Sequence, residues 1–116
     1  MPYDEGLAHR LRTLFEDDAD VTEKKMFGGL CFLHRGNMCC GIVRDELMLR
    51  VGPDAYGDCL ALPHAREMDF TGRAMRGLVY VATEGFEEDE DLSGWVDRAM
   101  TFARSLPAKG AASRGR

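Results

Sequence analysis

Between Lys24 and Val51 the chain carries three short apolar runs separated by two tight turns. KKMFGGLCFLH occupies 24–34, HRGN turns the chain at 34–37, and NMCCGIV occupies 37–43. Arg44-Asp45 makes the second turn, and ELMLRV fills 46–51. Short apolar runs bounded by turn residues read as strands joined by hairpins. Leu47, Leu49 and Val51 alternate with Met48 and Arg50, the period of two expected of a half-buried strand. Gly36 suits a turn position of positive φ. The Gly28-Gly29 pair inside the first run predicts a bulge or a bend. Residues 24–51 are therefore expected to form a three-stranded antiparallel meander, and such a sheet needs other elements to cover its oily face.

The flanking sequence supplies them. Asp4 is placed to cap a helix over 5–16, with Leu7, Leu11, Leu14 and Phe15 on one stripe. The acidic stretch Asp17-Asp18-Ala19-Asp20 breaks that pattern and reads as a loop. After Gly52, Pro53 opens a short helix at 54–62, interrupted by Gly57 and ended by Pro63. MDFTG at 68–72 and RGLVYVAT at 76–83 read as two further strands, with Gly72 and Gly77 bounding their connection. EGFEEDED at 84–91 is an acidic loop in which six of eight residues are Glu or Asp. Asp91 then caps a helix over 92–106, where Leu92, Trp95, Val96, Ala99, Phe102, Ala103 and Leu106 share one face. Pro107 ends it. The order is α-β-β-β-α-β-β-α, which predicts an α+β fold: two layers, with a five-stranded antiparallel sheet and helices on one face.

With 116 residues there is room for one such domain, expected at 1–107, followed by a basic tail at 108–116. The chain holds 15 Lys and Arg against 20 Asp and Glu, for a net charge of −5. Lys109, Arg114 and Arg116 fall in the tail, so the body carries −8. A net acidic protein does not gather phosphate backbones by charge alone. Nucleic acid is not expected as a partner by itself, although the tail with Arg66, Arg73 and Arg76 forms the one basic edge to test. The charged first twenty residues contain no signal-like apolar region, and no run spans a membrane. A cytoplasmic location, with no membrane partner, is expected.

Cys31, Cys39, Cys40 and Cys59 are then expected to be reduced thiols. Cys31 and His34 form a C-x-x-H with Cys39 and Cys40 just beyond, and a hairpin would bring Cys31 near Cys40. Against zinc stand the absence of any CxxC and the alternation of neighbouring strand residues between faces. Buried cysteine packs as a small hydrophobe. No metal and no cofactor are expected. His9, His34 and His64 lie in no known catalytic motif, and no GxSxG, HExxH or P-loop occurs. The chain is read as non-enzymatic.

The residues Met26-Phe27-Gly28-Gly29, the apolar hairpin after them, Leu47-Met48-Leu49-Arg50-Val51 and Met68-Asp69-Phe70-Thr71-Gly72-Arg73 resemble the TfoX/Sxy N-terminal domain family. Gly77-Leu78-Val79-Tyr80-Val81 and the helix carrying Leu92, Trp95, Val96 and Ala99 extend the resemblance over roughly residues 5–107. It departs at Asp45-Glu46, where relatives often have a tight Asp-Gly-like turn, and at Ala74, where proline is common. The resemblance implies a five-stranded antiparallel sheet with helices on one face, as in secretion-chaperone-like and YjbR-like domains. It also implies a place near transcription. Named members regulate natural competence in bacteria and act with the cyclic-AMP receptor protein at promoters. Those regulators carry a second, C-terminal domain, which is expected to be absent here.

The functional expectation is a regulatory protein-interaction module. Met26, Phe27, Gly28, Gly29 and Trp95 are its candidate residues. Met26-Phe27 would form an apolar lip beside two glycines, set against ordinary core packing. Trp95 would anchor the last helix, with a pocket-lining role as the sharper reading. The partner is expected to be a protein, the transcription machinery among the candidates, or a second copy of the chain. The homodimer rests on 38–43, where residues of both parities are apolar. The alternative is a small-ligand-binding domain using the open face of the sheet.

Overall fold

A computed structural model describes residues 3–26, 28–68 and 76–108. Helix α1 (Glu5–Phe15) is followed by β1 (Val21–Met26), β2 (Gly29–His34), β3 (Asn37–Val43) and β4 (Glu46–Arg50). Helix α2 (Pro53–Leu60), β5 (Ala65–Glu67) and β6 (Leu78–Val81) come next. A 3-10 turn at Thr83–Gly85 leads into α3 (Asp89–Arg104). The strands form one sheet in the order β1-β2-β3-β4-β6-β5, with every pairing antiparallel. The α+β class is as expected, but the sheet has six strands rather than five.

The extra strand comes from the first apolar run, which is a hairpin and not one bent strand. Gly28 has φ +73, a left-handed conformation that glycine adopts without steric penalty, and Met26 pairs directly with Gly29. Gly29 answers a different demand, since a Cβ there would overlap the Ile42 carbonyl oxygen of β3. Strand β1 carries no alternating pattern because it is an exposed edge: Thr22, Glu23, Lys24 and Lys25 all face solvent. Charged side chains on an edge oppose pairing with other chains. The next hairpin turns through Arg35 (φ 50) and Gly36 (φ 85), the two positive angles of a type I′ turn.

Helix α1 starts where its cap dictates. Asp4 accepts hydrogen bonds from the backbone N–H of Gly6 at 2.8 Å and Leu7 at 3.2 Å. Helix α3 begins at Asp89, earlier than the expected cap at Asp91, with Glu88 as its N-cap. The acidic stretch is thus partly helix: Asp89, Glu90 and Asp91 fill the first turn, where the helix dipole favours negative charge. Beyond Met68, the expected strand at 68–72 lies outside the described residues, as does the tail from Lys109. Arg12 of α1 makes a bidentate pair with Glu23 of β1, at 2.7 and 2.8 Å. That guanidinium holds the Glu23 carboxyl below its ordinary range.

The sheet has a core on each face. Leu30, Phe32, Ile42, Leu47, Leu49, Val79 and Val81 meet Leu7, Leu11 and Phe15 of α1, Cys59 of α2, and Leu92, Trp95, Val96 and Ala99 of α3. Each fully buried side chain of this size contributes about 1.5–3 kcal/mol by leaving water. Leu14, expected on the buried stripe of α1, is instead 41% exposed. On the other face Cys31, Met48, Met68, Leu78 and Tyr80 form a second cluster, with Met26, Met38 and Val43 against it. Cys31, Met48 and Met68 have no exposed surface, so the second face is not open at its centre as expected. Residues of β3 contribute to the cores on both faces of the sheet. No helix among the described residues is long and apolar enough to cross a membrane.

Candidate functional site: an acidic cleft beside Trp95

A cleft of about 400 Å³ opens where the α2–β5 loop, the 3-10 turn and the first half of α3 meet. Pro63 follows the end of α2, and His64 turns the chain into β5 with φ 71. The His64 carbonyl accepts from the Ala82 N–H at 2.9 Å, which fixes the loop against the start of the 3-10 turn. Gly85 lets the two approach: a Cβ there would stand 2.6 Å from Val81 Cγ1 and 3.0 Å from His64 Cβ. Gly94 presents no side chain on the opposite wall, and nothing lies within 4 Å of where its Cβ would be. One wall is therefore tight and the other open.

Glu84, Glu90 and Asp91 bring three exposed carboxylates to this cleft, with Arg98 and His64 as the other ionisable groups. Trp95 is 7% exposed and belongs to the helix-side core, with its remaining surface on the cleft. The Arg98 guanidinium sits 5.5 Å from the indole centroid, a cation–π distance. Behind them Cys59 is fully buried; burial pushes its thiol up, while Arg98 pulls it back. The cleft lining contains no Ser, Cys, Thr, Lys or Tyr. What it offers is a narrow exposed edge of an indole already faced by Arg98, an apolar floor at Leu62 and Pro63, and an excess of negative charge.

The structure separates the residues singled out by sequence. Trp95 lies on the cleft. Met26 is half-buried at the end of β1 and packs on the second-face cluster. Gly28 and Gly29 serve the hairpin, and Phe27 lies outside the described residues. Met26 and Trp95 therefore belong to different faces and form no common site. The cysteines divide too: Cys31 is on the second face, while Cys39, Cys40 and Cys59 are in the helix-side core. Cys39 and Cys40 share a face because the β2–β3 register shifts between Phe32 and Leu33, overriding the expected alternation. All four are buried free thiols. The Cys40 thiol is raised well above its ordinary range by a hydrogen bond with Cys39 and by burial. Among the described residues, Cys31, His34 and Cys40 do not converge on a common point.

The cleft was only partly visible in the sequence. The acidic stretch marks its rim and Trp95 its wall. His64, Gly85 and Gly94 carry no motif, since their roles depend on a loop and a helix meeting.

The TfoX N-terminal domain model matches residues 13–103, most of the chain. The chain belongs to the TfoX N-terminal domain family. That span runs from the last turn of α1 to the end of α3 and so includes every described strand of this TfoX N-terminal domain and the whole cleft. No curated protein and no solved structure matches the chain.

Proposed function

We propose that this TfoX N-terminal domain is a non-enzymatic, regulatory protein-interaction module whose cleft receives a basic segment of a protein partner. The observation that carries this reading is the cluster of Glu84, Glu90 and Asp91 around the exposed edge of Trp95. An arginine or lysine entering there would meet three carboxylates beside the exposed edge of Trp95, in competition with the Arg98 guanidinium already over the ring. The regulators this chain resembles act at promoters, so the RNA-polymerase machinery and the cyclic-AMP receptor protein are the first partners to examine.

Trp95 is the single tryptophan of the chain, so its emission reports on the cleft directly. Arg- and Lys-rich peptides should change that emission saturably, less so as salt rises. The double variant E90Q/D91N should weaken the response about tenfold or more, the effect of losing roughly 1.4 kcal/mol. An unchanged emission with millimolar basic peptides, or an equal response from the double variant, overturns the reading.

A further inference from the structure

His34 ends β2, and Asp18 and Asp20 lie in the loop between α1 and β1. The register pairs Val21 with His34, which sets that loop beside the imidazole. Backbone bonds hold the arrangement: Arg35 N–H donates to the Asp20 carbonyl at 2.9 Å, and Val21 N–H to the Asp18 carbonyl at 3.2 Å. The Asp20 N–H also donates to Asp18 Oδ1 at 3.0 Å. One imidazole nitrogen and one carboxylate oxygen from each aspartate lie within 4.8 Å of one another.

The histidine gives this acidic pair a specific meaning. His34 is 8% exposed, and its buried Nδ1 has no hydrogen-bond partner. Leaving such a group unpaired is costly, because its hydration is lost without a replacement bond. The two carboxylates are met from outside by arginines. Arg35 Nε stands 3.2 Å from Asp20 Oδ2, and Arg104 stands 3.9 Å from Asp18 Oδ2. Both arginines are more than half exposed, so each can swing to water if a stronger cation takes its place.

We propose that Asp18, Asp20 and His34 form a site for one divalent transition-metal cation. An imidazole with two carboxylates suits zinc or manganese, whereas calcium and magnesium prefer an all-oxygen shell. Metal–ligand bonds of about 2.0–2.2 Å require these atoms to draw closer than they stand. The half-exposed Asp20 side chain can supply that movement, while the backbone bonds keep the loop in place. Three protein ligands leave further positions to water. Binding would tie the α1–β1 loop to the end of β2, away from the cleft and independent of what the cleft binds.

The test is calorimetric titration of the full chain with Zn²⁺ and Mn²⁺ in a non-chelating buffer, followed by a Co²⁺ absorption spectrum. One ion per chain should bind with micromolar affinity, raise the melting temperature, and give a Co²⁺ spectrum without a thiolate charge-transfer band. D20N alters a half-exposed side chain and should fold normally, yet bind about tenfold or more weakly. D18N should act likewise. H34Q tests the imidazole, with circular dichroism to show that it folds; if it does not, the two aspartate variants decide. Absence of saturable binding below millimolar metal, affinity unchanged in both D18N and D20N, or a thiolate band would overturn the proposal.

Discussion

The two faces of the sheet are packed from different materials. The helix side is filled mainly by Leu, Ile, Val and Phe from the strands, with Cys39 and Cys40 among them, against Leu, Ala, Phe, Trp, Val, Met and Cys from all three helices. The second face is a small patch of Cys31, Met48, Met68, Leu78 and Tyr80. Its centre is the row Cys31, Gly41, Met48 and Tyr80 across four strands. Gly41 supplies the room: a Cβ there would stand 2.8 Å from Met48 Cε and 3.1 Å from Cys31 Sγ. Stiff branched side chains fix one arrangement, whereas methionine and cysteine adapt to the gap they are given. The helix side therefore specifies the fold, and the second face follows it.

The largest effect should fall on the backbone that both faces share. Gly29→Ala places a methyl into the Ile42 carbonyl, so β2 and β3 must separate and both cores lose their frame. We expect a loss of more than about 3 kcal/mol, beyond ordinary overpacking. Gly28→Ala, with open space but φ +73, should lose only about 1–2 kcal/mol. Urea denaturation of the two variants checks this, and equal losses would mean that the close approach at Gly29 is not the constraint.

Leu49 and Met48 are neighbours on β4, both with no exposed surface, and belong to opposite cores. Leu49→Ala should lose about 3–4 kcal/mol and Met48→Ala about 2–3 kcal/mol, because the flexible second face can close part of the cavity. A larger loss from Met48→Ala in the same urea experiment would reverse the ranking of the faces.

Alkaline pH divides the faces by their thiols. Burial pushes Cys31 up to about 11 on the second face, and Cys40 and Cys59 are raised on the helix side. Such a thiol keeps its proton in the folded chain where the unfolded chain has lost it. Its contribution is therefore complete below the ordinary thiol value of 9.0 and is lost as pH rises through about 11. Cys31→Ala should flatten the fall in urea midpoint between pH 9 and 11 relative to the wild type. An unchanged slope would show that the second face admits water at that pH.

These contrasts also explain what the sequence could disclose. The helix-side core was legible because Leu47 and Leu49 alternate on a strand and Leu92, Trp95 and Val96 recur on a helix. The hairpin at Gly28 reads from sequence as a bulge or bend, because β1 is an exposed edge without alternation. The closed second face was not legible, since Cys31, Gly41 and Met48 meet only through strand register. The cleft followed the same rule. Trp95 and the acidic stretch could be named, but His64 and Gly94 reach it by tertiary approach. Asp18 and Asp20 looked like a loop, and only the pairing of Val21 with His34 gives them a common neighbour.

The smallest effect should come from positions outside both cores. Gly57 in α2 and Gly94 in α3 are exposed helix residues, and a Cβ at either would meet nothing within 4 Å. Glycine in a helix interior is less stable than alanine by about 0.5–1 kcal/mol, so Gly57→Ala and Gly94→Ala should each raise stability by that amount. The two differ in place, because only Gly94 borders the cleft beside Trp95. If the cleft receives a basic side chain, Gly94→Leu should weaken peptide-induced change in Trp95 emission while Gly57→Leu leaves it intact. Both leucine variants should retain at least wild-type stability, since leucine is the better helix former. Equal peptide responses from the two would break the link between the open wall of α3 and binding, even with the stability gains present.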